Sequence, residues 1–213
     1  FVSCVSIPEK RENSLISESN IKEAEERLVF DTSFITHNED EKVTIRVVSV
    51  DKNENKINKL FIKKGKRTLS DKDIILIDQF AAARNINIDD EVKLQINGRQ
   101  YKFNVSGIAS SPEYVYIMEN EQSFLPDPLN FGVAFIEEDY LRKISGTNGN
   151  FNEIVLKVNN IDDMSKTSNF LKDYLDKYGV KRIIKKDEQL SNSMINEEIN
   201  GLEKVSQSIP IVF

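Results

Sequence analysis

A chain of 213 residues, with 39% hydrophobic and 30% charged side chains, is long enough for one large domain or two small ones and too rich in apolar residues to be disordered. Its net charge of −6 and isoelectric point near 5.1 argue against nucleic-acid binding, and no run of about 18 apolar residues offers a membrane span. One cysteine, Cys4, and one histidine, His37, exclude an internal disulfide and a Cys/His zinc site.

The first residues, Phe1 to Ile7, alternate as a short strand that Pro8 stops, and they lack the charged n-region of a signal peptide. Residues 10–18 are polar and helix-compatible, and Asn20 to Glu25 lead into Arg27–Ile35, which reads as a strand. Val43–Val50 reads as a second strand, and the polar His37–Asp40 between the two predicts an antiparallel hairpin. The Lys/Asn-rich stretch Asp51 to Asn58 looks like a boundary.

Asp73–Asp78 has the pattern of a short buried strand, followed by two helical turns over Gln79–Asn85. Val92, Leu94 and Ile96 alternate before Asn97-Gly98, and Tyr101, Phe103 and Val105 alternate after it. Asn-Gly between alternating runs predicts a tight hairpin, because both turn residues need positive φ. Ser111-Pro112 breaks the chain, and Phe124–Leu129 reads as an extended loop. Gly132–Ile136 is a strand entering a short helix, Glu138–Ile144, closed by Gly146, and Phe151–Val158 is a further strand. A helix over 161–178 is capped by Asn160 and ended by Gly179; Val180–Ile184 is the last strand. The final helix carries the stripe Ile195, Ile199, Leu202, Val205 and Ile209, then runs into the apolar Pro210–Phe213. Both ends read as cut from a longer protein.

Chemistry-bearing constellations are sparse. Cys4 is linked to His37 by no motif and reads as a small buried hydrophobe, and His37 as a solvated turn residue. The cations Lys59, Lys63, Lys64, Lys66 and Arg67 read as a solvated strand and turn. Gly65 and Gly98 are isolated, so no glycine loop cradles phosphate. No catalytic, cofactor or metal residue is assigned. Tyr114, Tyr116, Phe124 and Leu125 are the candidates for a partner surface, since loops carry recognition and tyrosines anchor it, although aromatic residues more often serve a core.

One continuous phrase, Gly65-Lys66-Arg67, Asp73–Ala81, Ile86–Leu94 and Tyr101–Ile108, resembles the extracytoplasmic core domain of MacB/FtsX-like ABC transporter permeases. Asp89-Asp90 stands where that family usually has a glycine–aspartate pair. Ser111–Tyr116, Pro126-Asp127-Pro128 and Phe131-Gly132-Val133 resemble a bacterial subgroup of these permeases, and Ile209–Phe213 resembles the entry to their second membrane helix. The resemblance covers most of residues 24–213. It implies a non-catalytic domain on the extracytoplasmic side of the cell membrane, with no cofactor. Its implied partners are the membrane helices of the same polypeptide, a cytoplasmic ATPase subunit and a second permease copy.

The expected architecture is α+β. A base lobe of residues 1–58 and 132–190 holds a split β-α-β, ferredoxin-like sheet; residues 59–131 form a smaller inserted mixed lobe; residues 191–213 form a stalk helix. A secreted or surface hydrolase and a stand-alone peptide- or carbohydrate-binding module are the alternatives.

Overall fold

The computed structural model describes residues 1–208 apart from 11, 18–19, 39, 53–56, 68, 121, 124 and 148. In chain order, strand β1 (Val2–Ile7), helix α1 (Glu12–Ile16), β2 (Ile21–Arg27), β3 (Val29–Ile35), β4 (Val43–Val50), β5 (Phe61–Gly65) and β6 (Asp73–Ile77) lead into α2 (Asp78–Ala83). There follow β7 (Glu91–Ile96), β8 (Arg99–Ser110), β9 (Phe131–Glu137), α3 (Glu138–Ser145), β10 (Phe151–Val158), α4 (Met164–Leu175), β11 (Val180–Ile183) and α5 (Leu190–Ser208).

The two halves of the chain's ends make one sheet. β1, β2, β10 and β11 pair antiparallel in the order β11-β1-β10-β2. With α1 between the first two strands and α4 between the last two, this is the expected split β-α-β arrangement. Val2, Cys4, Ile7, Ala24, Ile154, Leu171 and Leu175 are buried in its core.

The rest is a barrel. β8, β6, β9, β4, β3 and β7 form a ring, closed because β8 pairs with β7 through Arg99–Asn104 and with β6 through Asn104–Ala109. Twelve residues of β8 therefore serve two neighbours in turn, and β5 attaches to its last part. Asn97 and Gly98, with φ of 49° and 73°, make the predicted β7–β8 turn. β9 is buried at every position, as a strand covered on both faces should be.

Three expectations are corrected. The domain boundaries at 58/59 and 131/132 cut through the barrel, because β4 pairs with β9 from Thr44↔Phe131 to Val50↔Glu137 and β3 pairs with β7. The insertion begins at Leu28 and takes in β3 to β9; the polar stretch after β4 only looks like a linker, since it leaves and re-enters the same sheet. The strand expected over 27–35 begins only at Val29, and Arg27 instead ends β2, a strand over residues 21–27 that the sequence reading did not assign. At Leu28 the chain leaves the small sheet, and its N–H donates to Ser49 Oγ (2.8 Å) while Ser49 N–H donates to its carbonyl (2.9 Å). Finally, α4 starts after Asp163 rather than Asn160, whose side chain instead receives the Asp162 N–H and donates to Asp163.

The strands that end each sheet carry a common feature. β2, β11 and β5 each contain one extra residue relative to the neighbour, and that residue is Lys22, Lys181 and Lys63 respectively, all exposed. A bulge with a lysine at an open edge blocks pairing with another strand.

Helix α5 begins beside the first residue of the chain. Phe1 and Ile184 exchange backbone hydrogen bonds of 2.8 and 2.9 Å. From Asn196 onward its described side chains are exposed, so Ile199, Leu202 and Val205 lie at 49%, 70% and 57% exposure on a helix that leaves the body, while Ile195 is half-buried. Ile209 and Pro210–Phe213 lie outside the described residues.

Candidate functional site

A cleft of about 540 Å³ lies where the small sheet, the barrel and the root of α5 meet. Its walls come from β1, β10 and β11 on one side, and from β3, β4 and the loop following β8 on the other. Domain junctions are common places for such a cavity.

A buried charge network lies behind one wall. Arg27, at the end of β2, holds Glu113 with two bonds of 2.7 Å and Glu153 on β10 with one of 2.5 Å. Asn58 Nδ2 adds a bond to Glu113 at 3.1 Å, and the guanidinium lies 4.8 Å from the centroid of the Phe1 ring. Burial pushes the Glu113 carboxyl up, but the Arg27 charge and the hydrogen bonds to it outweigh burial and hold it below its ordinary value. Both carboxylates are thereby engaged by a guanidinium that stays charged at any accessible pH. A second pair, Arg46 and Asp31, faces the cleft through two bonds of 2.7 Å, and Arg46 also donates to the Glu119 carbonyl at 3.0 Å.

The loop from Ser111 to Asn130 has no strand or helix of its own among its described residues. It carries the proposed partner residues, which the structure separates. Tyr114 is buried, edge-to-face with Phe135 at 6.3 Å, and burial with the neighbouring Glu113 charge pushes its phenol up. Tyr116 is half-buried and clasps α5. Its N–H donates to Ser191 Oγ (3.2 Å), Ser191 Oγ donates to its carbonyl (2.9 Å), and its hydroxyl donates to Glu198 two turns on (2.7 Å). Leu125 is 76% exposed, and Phe124 lies outside the described residues. Val115 and Leu129, which the sequence did not single out, are exposed on the same loop.

A separate acidic cluster joins barrel to small sheet at α3. Glu138 has its pKa raised to about 7, first by burial and then by Asp51, Asp139, Glu137 and Glu26. Lys52 lies 3.3 Å from both Glu137 and Asp139, and Arg142 4.0 Å from Glu138. Among the described residues no group of three His, Cys, Asp or Glu could hold a metal ion, and no described helix is long and apolar enough to cross a membrane. Cys4 is buried in β1, and His37 is exposed in the β3–β4 connection.

Arg27, Glu113, Glu153, Asp31 and Arg46 escape sequence reasoning because their partners lie 15 to 126 positions away. The usable signal was Arg27 itself, a charge at the start of an apolar-patterned run.

No protein-family model and no curated protein matches the chain. Among solved structures, the periplasmic region of MacB from Actinobacillus actinomycetemcomitans matches with 14% identity over 91% of this chain and 83% of that one, at a TM-score of 0.49. The extracellular domain of the noncanonic ABC-type transporter YknZ from Gram-positive bacteria matches with 16% identity over 84% of this chain and 90% of that one, at 0.53. In fold, therefore, a split β-α-β sheet with a barrel inserted between its second and third strands, this chain is similar to that transporter's extracellular domain.

Proposed function

We propose that the chain is the extracytoplasmic domain of an ABC-type transporter permease, a non-catalytic module that couples to membrane helices and contacts a partner or cargo. The observation that carries this reading is the likeness of fold across 84% of the chain to an ABC transporter's extracellular domain. Two features support it. Phe1 pairs with Ile184, six positions before α5 begins, so the first strand and the approach to α5 lie side by side. The two carboxylates Glu113 and Glu153 at the cleft are both engaged by Arg27, as in a structural ion-pair network. The partners on this reading are membrane helices of the same polypeptide, a cytoplasmic ATPase subunit and a second permease copy. The partner surface is the loop bearing Val115, Leu125 and Leu129, next to the Tyr116 clasp.

The test is expression of the complete gene with topology reporters on either side of the domain, followed by affinity purification. The reading expects reporters active only outside the cytoplasm and a nucleotide-hydrolysing subunit that co-purifies. A parent with no membrane spans and no ATPase partner overturns it.

A further inference from the structure

Along the β3–β4 ladder the register runs without a shift from Val29↔Val48 to Phe34↔Val43. Leu28 accepts the Ser49 N–H, which makes those two a hydrogen-bonded pair. In an antiparallel ladder the backbone groups of every second residue then face the partner strand, here Phe30, Thr32 and Phe34. Those of Val29, Asp31 and Ser33 face away from β4. At Ser33 the neighbour is Gln95 of β7. At Val29 it is a side chain acting as a strand: Asn152 Oδ1 accepts the Val29 N–H at 2.8 Å, and Asn152 Nδ2 donates to its carbonyl at 2.6 Å. Between them the N–H and C=O of Asp31 pair with no described residue, and Asp31 lines the cleft.

This gap differs from the outer edges. There, each end strand is interrupted by a bulged lysine, whereas β3 is regular at Asp31 and protected from another sheet only by the cleft walls. Lys181, turned out by its bulge on β11, lines the same cleft and makes no ion pair with a described residue. Arg46 is already matched by Asp31.

We propose that the cleft binds an extended polypeptide segment, which pairs its backbone with Asp31 in the gap between Asn152 and β7 and places a carboxylate toward Lys181. Backbone pairing supplies affinity without regard to sequence, and the charge at Lys181 supplies the preference for an acidic segment. Glu119 on the loop wall disfavours a second acid near Arg46, so one acidic end suits the cleft better than a uniformly acidic chain. The inference stands on the cleft and not on the permease reading, so either can fail alone.

The probe is an acetylated, amidated peptide of alternating valine and threonine with one terminal glutamate, titrated into the domain and followed by amide NMR. The Asp31 amide should shift saturably. A proline at the peptide's centre should abolish the shift, and lysine in place of glutamate should weaken binding. Asp31→Pro removes an N–H that β4 does not use and should weaken binding about tenfold, whereas Asp31→Asn should retain it. Asn152→Ala frees the Val29 groups and should tighten binding, the reverse of what a purely structural role predicts. Lys181→Glu should exchange the preference to the lysine peptide. The proposal is overturned if the proline peptide binds as well, if the Asp31 amide stays unmoved, or if Asp31→Pro binds as the wild type does. Should Asp31→Pro not fold, the peptide series on the unaltered protein decides.

Discussion

Arg27 on the small sheet grips Glu113 on the loop leaving the barrel with two parallel hydrogen bonds of 2.7 Å, and so ties the lobes together at a point 86 residues apart in sequence. Both side chains are nearly inaccessible, at 6% and 12% exposure. Arg27→Met would leave Glu113 and Glu153 buried without their cation, a loss of about 3–5 kcal/mol. Chemical denaturation at neutral pH should show it. Because the Glu113 pKa is depressed in the fold, its contribution is full above the ordinary carboxylate range and is lost as pH falls through the folded value. The gap between Arg27→Met and the parent should therefore narrow in acid; an equal gap at every pH would contradict the electrostatic account.

Glu138 works in the opposite sense. With a folded pKa of about 7 against an unfolded value near 4.3, the folded state binds more protons between these limits. Its contribution therefore erodes stability as pH rises from the lower value to the upper. Glu138→Gln should leave stability nearly unchanged around the lower limit and raise it by on the order of 1 kcal/mol above pH 7, the full shift being discounted for partial exposure. Thermal melts across that range check the crossover.

Gly132 is the second residue of the buried strand β9 and lies against Phe80. A Cβ there would sit 2.5 Å from the ring, which is fully buried and edge-to-face with Phe34 at 5.2 Å. The ring has nowhere to move, so Gly132→Ala should cost about 1–3 kcal/mol or more through overpacking. Gly98→Ala makes a useful contrast: no atom lies within 4 Å, and its penalty would come from φ of +73° alone.

The bulged lysines make a prediction about association. Replacing Lys22, Lys63 and Lys181 together with valine should leave the fold intact and promote self-association, measurable by sedimentation at rising concentration. A triple variant that sediments like the parent would show that the bulges alone guard the edges.

Ser191→Ala removes the atom that both receives from and donates to the Tyr116 backbone, and Tyr116→Phe removes the bond to Glu198. Global stability should change by about 1 kcal/mol or less, since the second bond is exposed. Hydrogen exchange should accelerate over the first two turns of α5 in both variants, and more in Ser191→Ala. Unchanged protection there would mean that packing at Ile195 holds the helix without the clasp.

Local pattern carried the elements and tertiary pairing carried the site. The alternation around Asn97-Gly98, the apolar Ile74–Ile77, the αL cap at Gly146 and the stripe on α5 from Ile195 to Val205 follow from propensities and periods confined to a few neighbours, and each appears where the sequence places it. The strand over 27–35 shows the limit. Its residues are all β-compatible, but nothing local tells Leu28 to change sheets, because that choice depends on Ser49 and Asn152 far along the chain. The boundary after β4 failed for the same reason, since a polar stretch does not reveal that β4 and β9 pair in parallel across it. The sequence by itself determined the class of most segments, though not that of β2, which it left without a strand. Only the tertiary structure decided the barrel's closure, the Arg27 network and the gap at Asp31, because backbone groups and buried charges find partners by distance in space, and a chain's composition does not encode that distance locally.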